Sequence, residues 1–313
     1  MDPHLKALID QMDAQAAAQP MPPLDMVPPE MIRANYQETR RALNLGAPKD
    51  VETRDLMIDG AEGEIPARLY TPAGAAQTTP GLVYFHGGGF VIGDLETHDG
   101  HCRRLAAFGG VRVLAVDYRL APEHPFPASH DDAVAATRWA IDHAAEIGFD
   151  PARVAVGGCS AGGNLAASVA IDLRGDPAHR VAFQLLLYPG IWPEAETQSR
   201  RDLDGPLLTR EVLAWFEKHL AADGHPQISR VSLSRVEDLS GLPPALVVTA
   251  GYDPLKDEGR DYAQRLRDAG VEAQHVEYAD LVHDFYLLGD VSPAVIEAAR
   301  ETAAALQKAL AAV

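Results

Sequence analysis

Cysteine is scarce in this sequence. Cys102 and Cys159 are the only two among 313 residues, and they lie far apart in the chain. Two separated cysteines form neither a disulfide framework nor the closely spaced pairs of a zinc site. Free thiols are suited to a reducing compartment, so we expect a cytoplasmic location.

Positive charge is also in short supply. The chain carries 27 Lys and Arg residues against 45 Asp and Glu residues, a formal net charge of −18. A surface that binds nucleic acid needs clustered Lys and Arg, so this balance argues against a nucleic-acid partner. It disfavours strongly anionic substrates as well, and the simplest effect of the acidity is solubility.

Long apolar runs are missing too. No stretch of the sequence approaches the roughly 20 apolar residues that cross a bilayer, and no basic amphipathic helix indicates a membrane surface. The first 20 residues lack a basic segment followed by an apolar one, so we expect no signal peptide. The sequence therefore predicts a soluble protein with no stable membrane association.

An alternation of short apolar runs and longer helical patterns begins near residue 51. The runs are nearly continuous in apolar residues, as in strands that are buried on both faces of a parallel sheet. Helical stretches over 131–147, 161–174 and 257–269 predict an α/β fold with a doubly wound sheet. Segments 54–60 and 64–72 predict an antiparallel hairpin at one edge. The other strand candidates are GLVYF, VRVLAVDY, RVAVGG, FQLLLY, ALVVTAG and EAQHVEY.

Two regions do not follow this alternation. Residues 1–46 predict two short helices separated by the Pro-rich PMPPLDMVPPE, a cover packed on the domain rather than a domain of its own. About fifty residues separate Tyr188 from Leu242, and they contain one predicted helix, near 209–222, with no strand of sheet quality. A segment of that length between consecutive core strands indicates an inserted cap.

A G-x-S-x-G motif occurs at residues 158–162 as GCSAG. It directly follows the buried strand at 154–156 and directly precedes a helical pattern, the strand–turn–helix setting that a nucleophilic serine requires. The flanking glycines leave room for a strained turn, and the helix N-terminus favours a developing anion. The spacing differs from that of phosphate-binding and dinucleotide loops, so Ser160 is the predicted nucleophile.

Three glycines follow an earlier buried strand in HGGGF, residues 86–90. The backbone N–H groups of Gly88 and Gly89 can approach a substrate oxygen closely because no side chain intervenes, and the N–H of Ala161 is the third predicted donor. H-G-G-G together with the serine motif is the oxyanion-hole arrangement of lipases and esterases. We expect His86 to brace this loop by hydrogen bonding rather than to transfer protons.

The acid of such a triad should lie between the serine and the histidine in the chain. Asp253 comes directly after the run ALVVTAG and Tyr252, at the carboxyl end of a strand, where α/β sheets hold their sites. An Asp followed by Pro is also a sound helix N-cap. The rival Asp257 falls a turn inside that helix and should point elsewhere, so Asp253 is the predicted acid.

His283 lies in LVHDF, after the last predicted strand and ahead of the final helix. A histidine in this loop can reach Ser160, take its hydroxyl proton and be oriented by the carboxylate. The other histidines form no metal-binding motif. His98 and His101 are three positions apart but lack further ligands nearby, so we expect no metal.

Five blocks of sequence resemble, in the right order, the signature blocks of the bacterial hormone-sensitive-lipase family of esterases (family IV). The resemblance extends from about residue 50 to the C-terminus, and five ordered blocks are highly specific. The blocks are HGGGFVIGDLETHD, DYRLAPEHPFPA, GGCSAGGNLA, SGLPPALVVTAGYDPLKDEG and LVHDF.

The resemblance implies an α/β-hydrolase fold: an eight-stranded, mostly parallel sheet flanked by helices, with a helical cap. The cap would comprise residues 1–50 and an insertion at 190–240, in a catalytic domain of residues 51–313. The resemblance also implies cofactor-free hydrolysis of short- to medium-chain carboxylic esters, with a small-molecule ester as the partner. A homodimer is a further expectation, because relatives often dimerise.

We expect the walls of the substrate pocket to come from the cap and from residues beside the catalytic motifs, although each candidate could equally belong to the core. The candidates are Phe90, Trp192, Leu207, Leu208, Trp215 and Phe285. The block DYRLAPEHPFPA carries no triad member, and we expect Asp117, Arg119 and Glu123 to brace loops through salt bridges.

Two residues depart from the family pattern. Cys159 stands where Asp or Thr usually precedes the serine, and we expect it to be a small buried filler without a nucleophilic part. Asp284 stands where Gly usually follows the histidine. Aspartate tolerates unusual backbone angles, and its charge should raise the pKa of His283.

Two other functions could use the same residues. An amidase or carbamate hydrolase works with the same triad, and parallel assays on a matched ester and amide separate these activities. A non-catalytic ligand receptor on the same scaffold would lack the histidine, which is present here as His283. The natural ester, its chain length and its stereochemistry depend on one or two methyl groups in the pocket, so the sequence leaves them open.

Overall fold

The apolar runs form the strands of an eight-stranded sheet in the computed structural model, which describes residues 1–18, 22–43, 46–191 and 197–312. The strands follow the spatial order β1-β2-β4-β3-β5-β6-β7-β8. Their bounds are β1 Glu52–Gly60, β2 Gly63–Thr71, β3 Thr79–Phe85, β4 Arg112–Val116, β5 Phe149–Cys159, β6 Phe183–Leu187, β7 Ala245–Tyr252 and β8 Ala273–Val282.

The sheet is mostly parallel. Strand β2 pairs antiparallel with both β1 and β4, whereas every pairing from β4 across to β8 is parallel. The predicted hairpin is therefore confirmed as β1 and β2 at one edge, with Ile58 opposite Ile65. This topology confirms the predicted eight-stranded α/β sheet.

The helices cover both faces of the sheet. One apolar core lies between the sheet and α4, α6 and α9, and the other lies between the sheet and α3, α10 and the start of α1. The α-helices are α1 Pro3–Ala18, α2 Pro29–Leu43, α3 Asp99–Gly109, α4 Ala128–Asp142, α5 Ala144–Ile147, α6 Ala161–Asp172, α7 Gln198–Asp202, α8 Arg210–Leu220, α9 Lys256–Asp268 and α10 Pro293–Ala311. Short 3₁₀ turns occupy Leu24–Met26, Ile228–Arg230, Leu233–Arg235 and Phe285–Leu287.

One strand differs from its expected environment. The sequence pattern groups EAQHVEY with the strands buried on both faces, but β8 is an edge strand of the sheet, and its exposed and partly buried residues alternate irregularly. Its composition agrees with this position, because Gln274, Glu277 and Tyr278 are polar or amphipathic. A strand with one neighbour needs fewer apolar side chains than a central one.

Helices α1, α2 and α8 border the carboxyl ends of the strands, because all three line one cavity that also contains Ser160 and His283. Helix α1 begins against β8, where the amide of Asp2 donates to the carbonyl of Asp280 at 2.8 Å. Helix α2 is tied to the loop between β4 and α4 by Arg33, which forms an ion pair with Glu123 at 2.7 Å. Helix α8 starts at Thr209, whose hydroxyl accepts a hydrogen bond from the amide of Val212, as helix N-caps do. The proposed cap boundaries, 1–50 and 190–240, remain predictions.

Candidate active site

The turn between β5 and α6 holds Ser160 in a strained conformation, with φ 53° and ψ −118°. The glycines around it are required by close packing. A Cβ on Gly162 would lie 1.9 Å from the carbonyl oxygen of Phe85, and a Cβ on Gly158 would lie 2.4 Å from the same atom. Such distances are far inside van der Waals contact, so the elbow forms only because these two positions have no side chain.

We expect Gly162→Ala to destabilise the fold by about 1–3 kcal/mol or more, because the obstructing atoms are backbone atoms that move only if a core strand shifts. Urea or thermal unfolding measures the change. Gly190→Ala is the control, since the one described residue that a Cβ there would meet is Leu255, at an ordinary contact distance of 3.7 Å. Equal stability of the two variants would contradict the steric explanation.

The structure brings the predicted triad together. The Ser160 Oγ lies 3.0 Å from Nε2 of His283, and Nδ1 of the same imidazole lies 2.7 Å from Oδ2 of Asp253. Asp253 is fully buried, and its second oxygen accepts a hydrogen bond from the amide of Leu255 at 2.8 Å. The carboxylate is thus fixed by its own loop and orients the imidazole toward the hydroxyl.

The surroundings of His283 set its basicity. Burial by itself would lower the pKa of His283, but the charge and hydrogen bond of Asp253, followed by the charge of Asp284, raise it above its usual value. The charge of Arg40, in helix α2, lowers the pKa of His283. The ring of Tyr188 packs against the imidazole, with the ring centroids 4.9 Å apart. A raised pKa stabilises the imidazolium that forms when the hydroxyl proton is taken.

Asp284 connects the catalytic loop to helix α2. Its backbone lies in the left-handed region at φ 61°, a conformation that aspartate tolerates better than most residues. Oδ1 lies 3.7 Å from His283 Nε2, while Oδ2 accepts from Arg40 Nη2 at 3.1 Å and from the hydroxyl of Tyr36 at 3.3 Å. The side chain therefore joins an ion pair of the cap region to the predicted catalytic base.

We expect Asp284→Gly to move the acid limb of the kcat/KM profile to lower pH. The base works only when it is neutral, so activity falls as pH drops through its pKa. Removing Asp284 takes away a charge that raises the pKa of His283 and leaves Arg40, which lowers it. Asp284→Asn separates charge from packing, because it should produce the same shift. An acid limb that stays in place in both variants would refute the electrostatic role.

Asp257 could have competed with Asp253 as the acid of the triad, and Cys159 with Ser160 as the nucleophile. Asp257 accepts a hydrogen bond from the amide of Ser199 at 2.8 Å and pairs with Arg260, so it points away from His283 as predicted. Cys159 is fully buried, and burial together with the charge of Asp284 raises its thiol pKa to about 12. A thiol in that state is not a nucleophile at neutral pH.

The predicted oxyanion donors border the serine. The backbone of Gly88 has φ 114° and that of Gly89 has φ 59°, both in the region that favours glycine. A Cβ on Gly88 would lie 2.2 Å from the carbonyl oxygen of Ile92, so this turn also depends on glycine. Within the described residues, the amides of Gly88, Gly89 and Ala161 donate to no protein acceptor, which leaves three N–H groups for a ligand oxygen.

Two buried histidines, His86 and His98, contact the backbone of the glycine loop that carries the oxyanion donors. Nδ1 of His86 lies 2.7 Å from the carbonyl of Gly87, and the ring stacks on Tyr118 at 4.2 Å. Burial lowers the pKa of His86 to about 4, so it is neutral at physiological pH. The amide of Gly87 donates to Nε2 of His98 at 3.1 Å. These contacts agree with the bracing role expected for His86 rather than with proton transfer.

The block DYRLAPEHPFPA supports the site through ion pairs, with one exception. Arg119 binds the fully buried Asp132 at 2.8 Å, and Glu123 binds Arg33 of helix α2. Among the residues that the structure describes, Asp117 has no Lys or Arg partner, so the salt bridge expected for it is not formed there. It lies 3.8 Å from neutral His86, and burial followed by the charge of Asp94 raises the pKa of Asp117 to about 7.

Two cavities open at Ser160. Of the predicted pocket residues, Phe90 lines the smaller, Leu207 and Trp215 line the larger, and Leu208 lines both. Trp192 lies outside the described residues. Phe285, predicted to line the pocket, is instead fully buried in the core and lines neither cavity, because its ring packs against those of Tyr188, Tyr278 and Tyr286.

Sequence reasoning missed several wall residues. Leu213, Phe216 and Leu220 lie on one face of α8 at helical spacing, and all three line the smaller cavity. Their i, i+3, i+7 pattern marks an apolar face that could have been found from the sequence. Tyr36 and Arg40 of helix α2 line the larger cavity, and nothing in their spacing indicates that position.

The described residues hold no group of three or more His, Cys, Asp or Glu side chains arranged to bind a metal ion. His101 is buried against Tyr84 and Tyr286, and its neighbour His98 binds the oxyanion loop.

A serine at a strand–helix elbow, within reach of a histidine that a buried carboxylate orients, defines a serine hydrolase on a parallel α/β sheet. A family model described as alpha/beta hydrolase fold matches residues 82–287, and the chain belongs to that family. The resemblance to bacterial hormone-sensitive-lipase esterases is thereby confirmed.

Curated relatives and solved structures agree with this assignment. The chain is 42% identical to Esterase LipI of Mycobacterium tuberculosis over an alignment of 261 residues. This alignment covers 82% of this chain and 82% of the relative. It is 39% identical over 318 aligned positions to Carboxylesterase NlhH of the same species, covering 99% of this chain and 96% of the relative.

Among solved structures, the ester-hydrolase EH1AB1 from the metagenome of Lake Arreo, in complex with a bipyridine phosphonate derivative, superposes with a TM-score of 0.92 at 41% identity, covering 98% of both chains. A hyperthermophilic esterase from Pyrobaculum calidifontis superposes with a TM-score of 0.91 at 38% identity, again covering 98% of both.

Proposed function

We propose that this protein hydrolyses carboxylic esters of short- to medium-chain acids through an acyl-enzyme on Ser160. The observation that carries the proposal is the continuous hydrogen-bonded array from Asp253 through His283 to Ser160, with distances of 2.7 Å and 3.0 Å, at the floor of two cavities. The esterase relatives described above support the same reaction.

The mechanism has two steps. His283 takes the hydroxyl proton as Ser160 attacks the ester carbonyl, and the carbonyl oxygen, now an anion, accepts hydrogen bonds from the amides of Gly88, Gly89 and Ala161. The C–O bond to the alcohol then breaks, and the alcohol leaves with the proton from His283. Water, activated by the same imidazole, attacks the acyl-serine, and the acid leaves as Ser160 recovers its proton. Losing one such oxyanion donor typically costs about 3 kcal/mol of transition-state stabilisation.

A panel of nitrophenyl esters from acetate to palmitate tests this proposal, run beside a matched nitroanilide. We expect hydrolysis of the shorter esters, a decline toward palmitate, and little cleavage of the amide. Preference for the amide would favour an amidase. If the chain binds these compounds without turnover and does not react with a fluorophosphonate, it is a receptor rather than an enzyme.

We further propose a cytoplasmic location and a homodimer. Both cysteines are free and buried, as suits a reducing compartment. Within the described residues, no helix has the length and apolar character needed to cross a membrane. Sedimentation of the purified chain measures the oligomeric state, and fractionation of the native host tests the location.

A further inference from the structure

The two cavities that meet at Ser160 differ in size. The smaller has a volume of about 60 Å³ and the larger about 480 Å³. Gly89, Ser160, Leu208 and Phe216 line both, so the cavities lie on different sides of the same reacting centre. An ester has two arms, and each arm must enter one cavity.

The position of His283 decides which arm goes where. The carbonyl oxygen of the bound ester faces the amide donors, and the leaving oxygen must lie near the imidazole that gives it a proton. His283 and Asp284 line the larger cavity but not the smaller. Among the proposed oxyanion donors, Gly88 lines the larger cavity, Ala161 the smaller and Gly89 both, so the donors lie between the cavities and the imidazole alone distinguishes them. The alcohol arm therefore leaves through the larger cavity.

We infer that the smaller cavity receives the acyl group and the larger cavity receives the alcohol group, so that the protein selects esters of a short acid with a bulky alcohol. This inference rests on the proposed ester hydrolysis. It adds the distribution of bulk between the two arms, which the reaction type alone leaves open.

The size of the smaller cavity limits the acyl chain. At about 60 Å³ the smaller cavity has about one eighth of the volume of the larger, so it accepts the shorter arm of the ester, such as a butanoyl group. The larger cavity, about 480 Å³, falls in the range of sites that enclose a ligand of aromatic size or more.

A buried ion pair keeps the smaller cavity from extending. Arg200 of helix α7 lines this cavity, and its guanidinium binds Glu258, which is fully buried, at 3.1 Å. Glu258 also accepts a hydrogen bond from the amide of Ile191 at 3.2 Å. A longer acyl chain would have to displace charges that are already paired out of water, and breaking such a pair is strongly unfavourable.

The larger cavity is amphipathic. Helices α2 and α8 contribute apolar side chains, among them Ile32, Val212 and Trp215, while Tyr36 and Arg40 supply polar atoms. A bulky alcohol with an apolar body and an occasional polar group matches this lining. The walls come from the N-terminal segment and the insertion, so the choice of alcohol is made by the cap region.

A pair of isomeric esters tests the assignment. 3-Phenylpropyl butanoate and butyl 3-phenylpropanoate have the same atoms, an unbranched acid and a primary alcohol, and differ only in which arm carries the ring. We expect kcat/KM for 3-phenylpropyl butanoate to be about 10- to 100-fold higher, since misplaced bulk of several methylenes costs at least that much. Equal rates, or a preference for butyl 3-phenylpropanoate, would overturn the inference. Failure to hydrolyse either isomer or any nitrophenyl ester would instead overturn the proposed function.

Adjacent residues on α8 provide matched variants. Leu213 lines only the smaller cavity, and Val212 lines only the larger. Leu213→Ala should raise kcat/KM for butyl 3-phenylpropanoate about tenfold. It should thereby lower the isomer ratio, defined as kcat/KM for 3-phenylpropyl butanoate divided by kcat/KM for butyl 3-phenylpropanoate. Val212→Ala enlarges the other cavity, so the ratio should continue to favour 3-phenylpropyl butanoate. If Val212→Ala narrowed the ratio and Leu213→Ala widened it, the two cavities would have the opposite roles. The isomer ratio of the unmodified protein decides the matter if either variant folds poorly.

Discussion

Replacing Ser160 with alanine is expected to lower kcat/KM toward nitrophenyl esters by about 10⁴- to 10⁶-fold, as removal of a serine nucleophile does in other triad enzymes. The hydroxyl is the only group in the described site that is both within 3.0 Å of the imidazole and beside the three free amides. Substrate binding should persist, because the cavities and the oxyanion donors are unchanged. Covalent labelling by a fluorophosphonate, measured by mass spectrometry, should be lost together with turnover.

Cys159→Ala is the matched control for this experiment, because it removes the adjacent potential nucleophile. Its thiol is fully buried and has a raised pKa, so we expect esterase activity to stay within about tenfold of the unmodified protein. A loss of more than a hundredfold with the fold intact would count against its role as a filler. Residual labelling of Ser160→Ala would show that another residue carries the acyl group.

Exchange of Asp253 for asparagine should lower kcat by about 10⁴-fold, the size of the effect in a protease whose triad aspartate was changed in this way. The buried carboxylate accepts from His283 Nδ1 at 2.7 Å and from the amide of Leu255 at 2.8 Å. An asparagine that keeps the Leu255 hydrogen bond through its oxygen presents its NH₂ group to the imidazole. The ring must then carry its proton on Nε2, the nitrogen that should accept the hydroxyl proton.

Asp257→Asn is the control, since Asp257 belongs to the same segment and was the rival acid. It binds Ser199 and Arg260 rather than the imidazole, so we expect kcat to change by less than about tenfold. The two variants are compared by kcat at a pH well above the acid limb, after unfolding curves confirm that both are folded. A larger loss in Asp257→Asn than in Asp253→Asn would reverse the assignment of the acid.

Local sequence determined the sheet, the elbow and the order of the reacting residues. Continuous apolar runs gave the strand positions within a few residues, and the one misjudged run, EAQHVEY, was polar enough to indicate an edge strand. Gly158 and Gly162 marked the nucleophile turn in the sequence. Glycine is required at both positions because a Cβ there would lie 2.4 Å and 1.9 Å from the carbonyl oxygen of Phe85. Such constraints act between near neighbours or on a repeating pattern, so they are visible in the chain itself.

Tertiary structure alone decided how the cap region and the loops meet at the site. Phe285, two positions from the histidine, turned into the core, while Phe216 of the insertion came to rest against Gly89. Arg40 reached the catalytic loop across more than two hundred positions of chain and paired with Asp284. Cavity volumes and the direction of a loop side chain depend on the packing of segments remote in sequence, and no local periodicity records that packing.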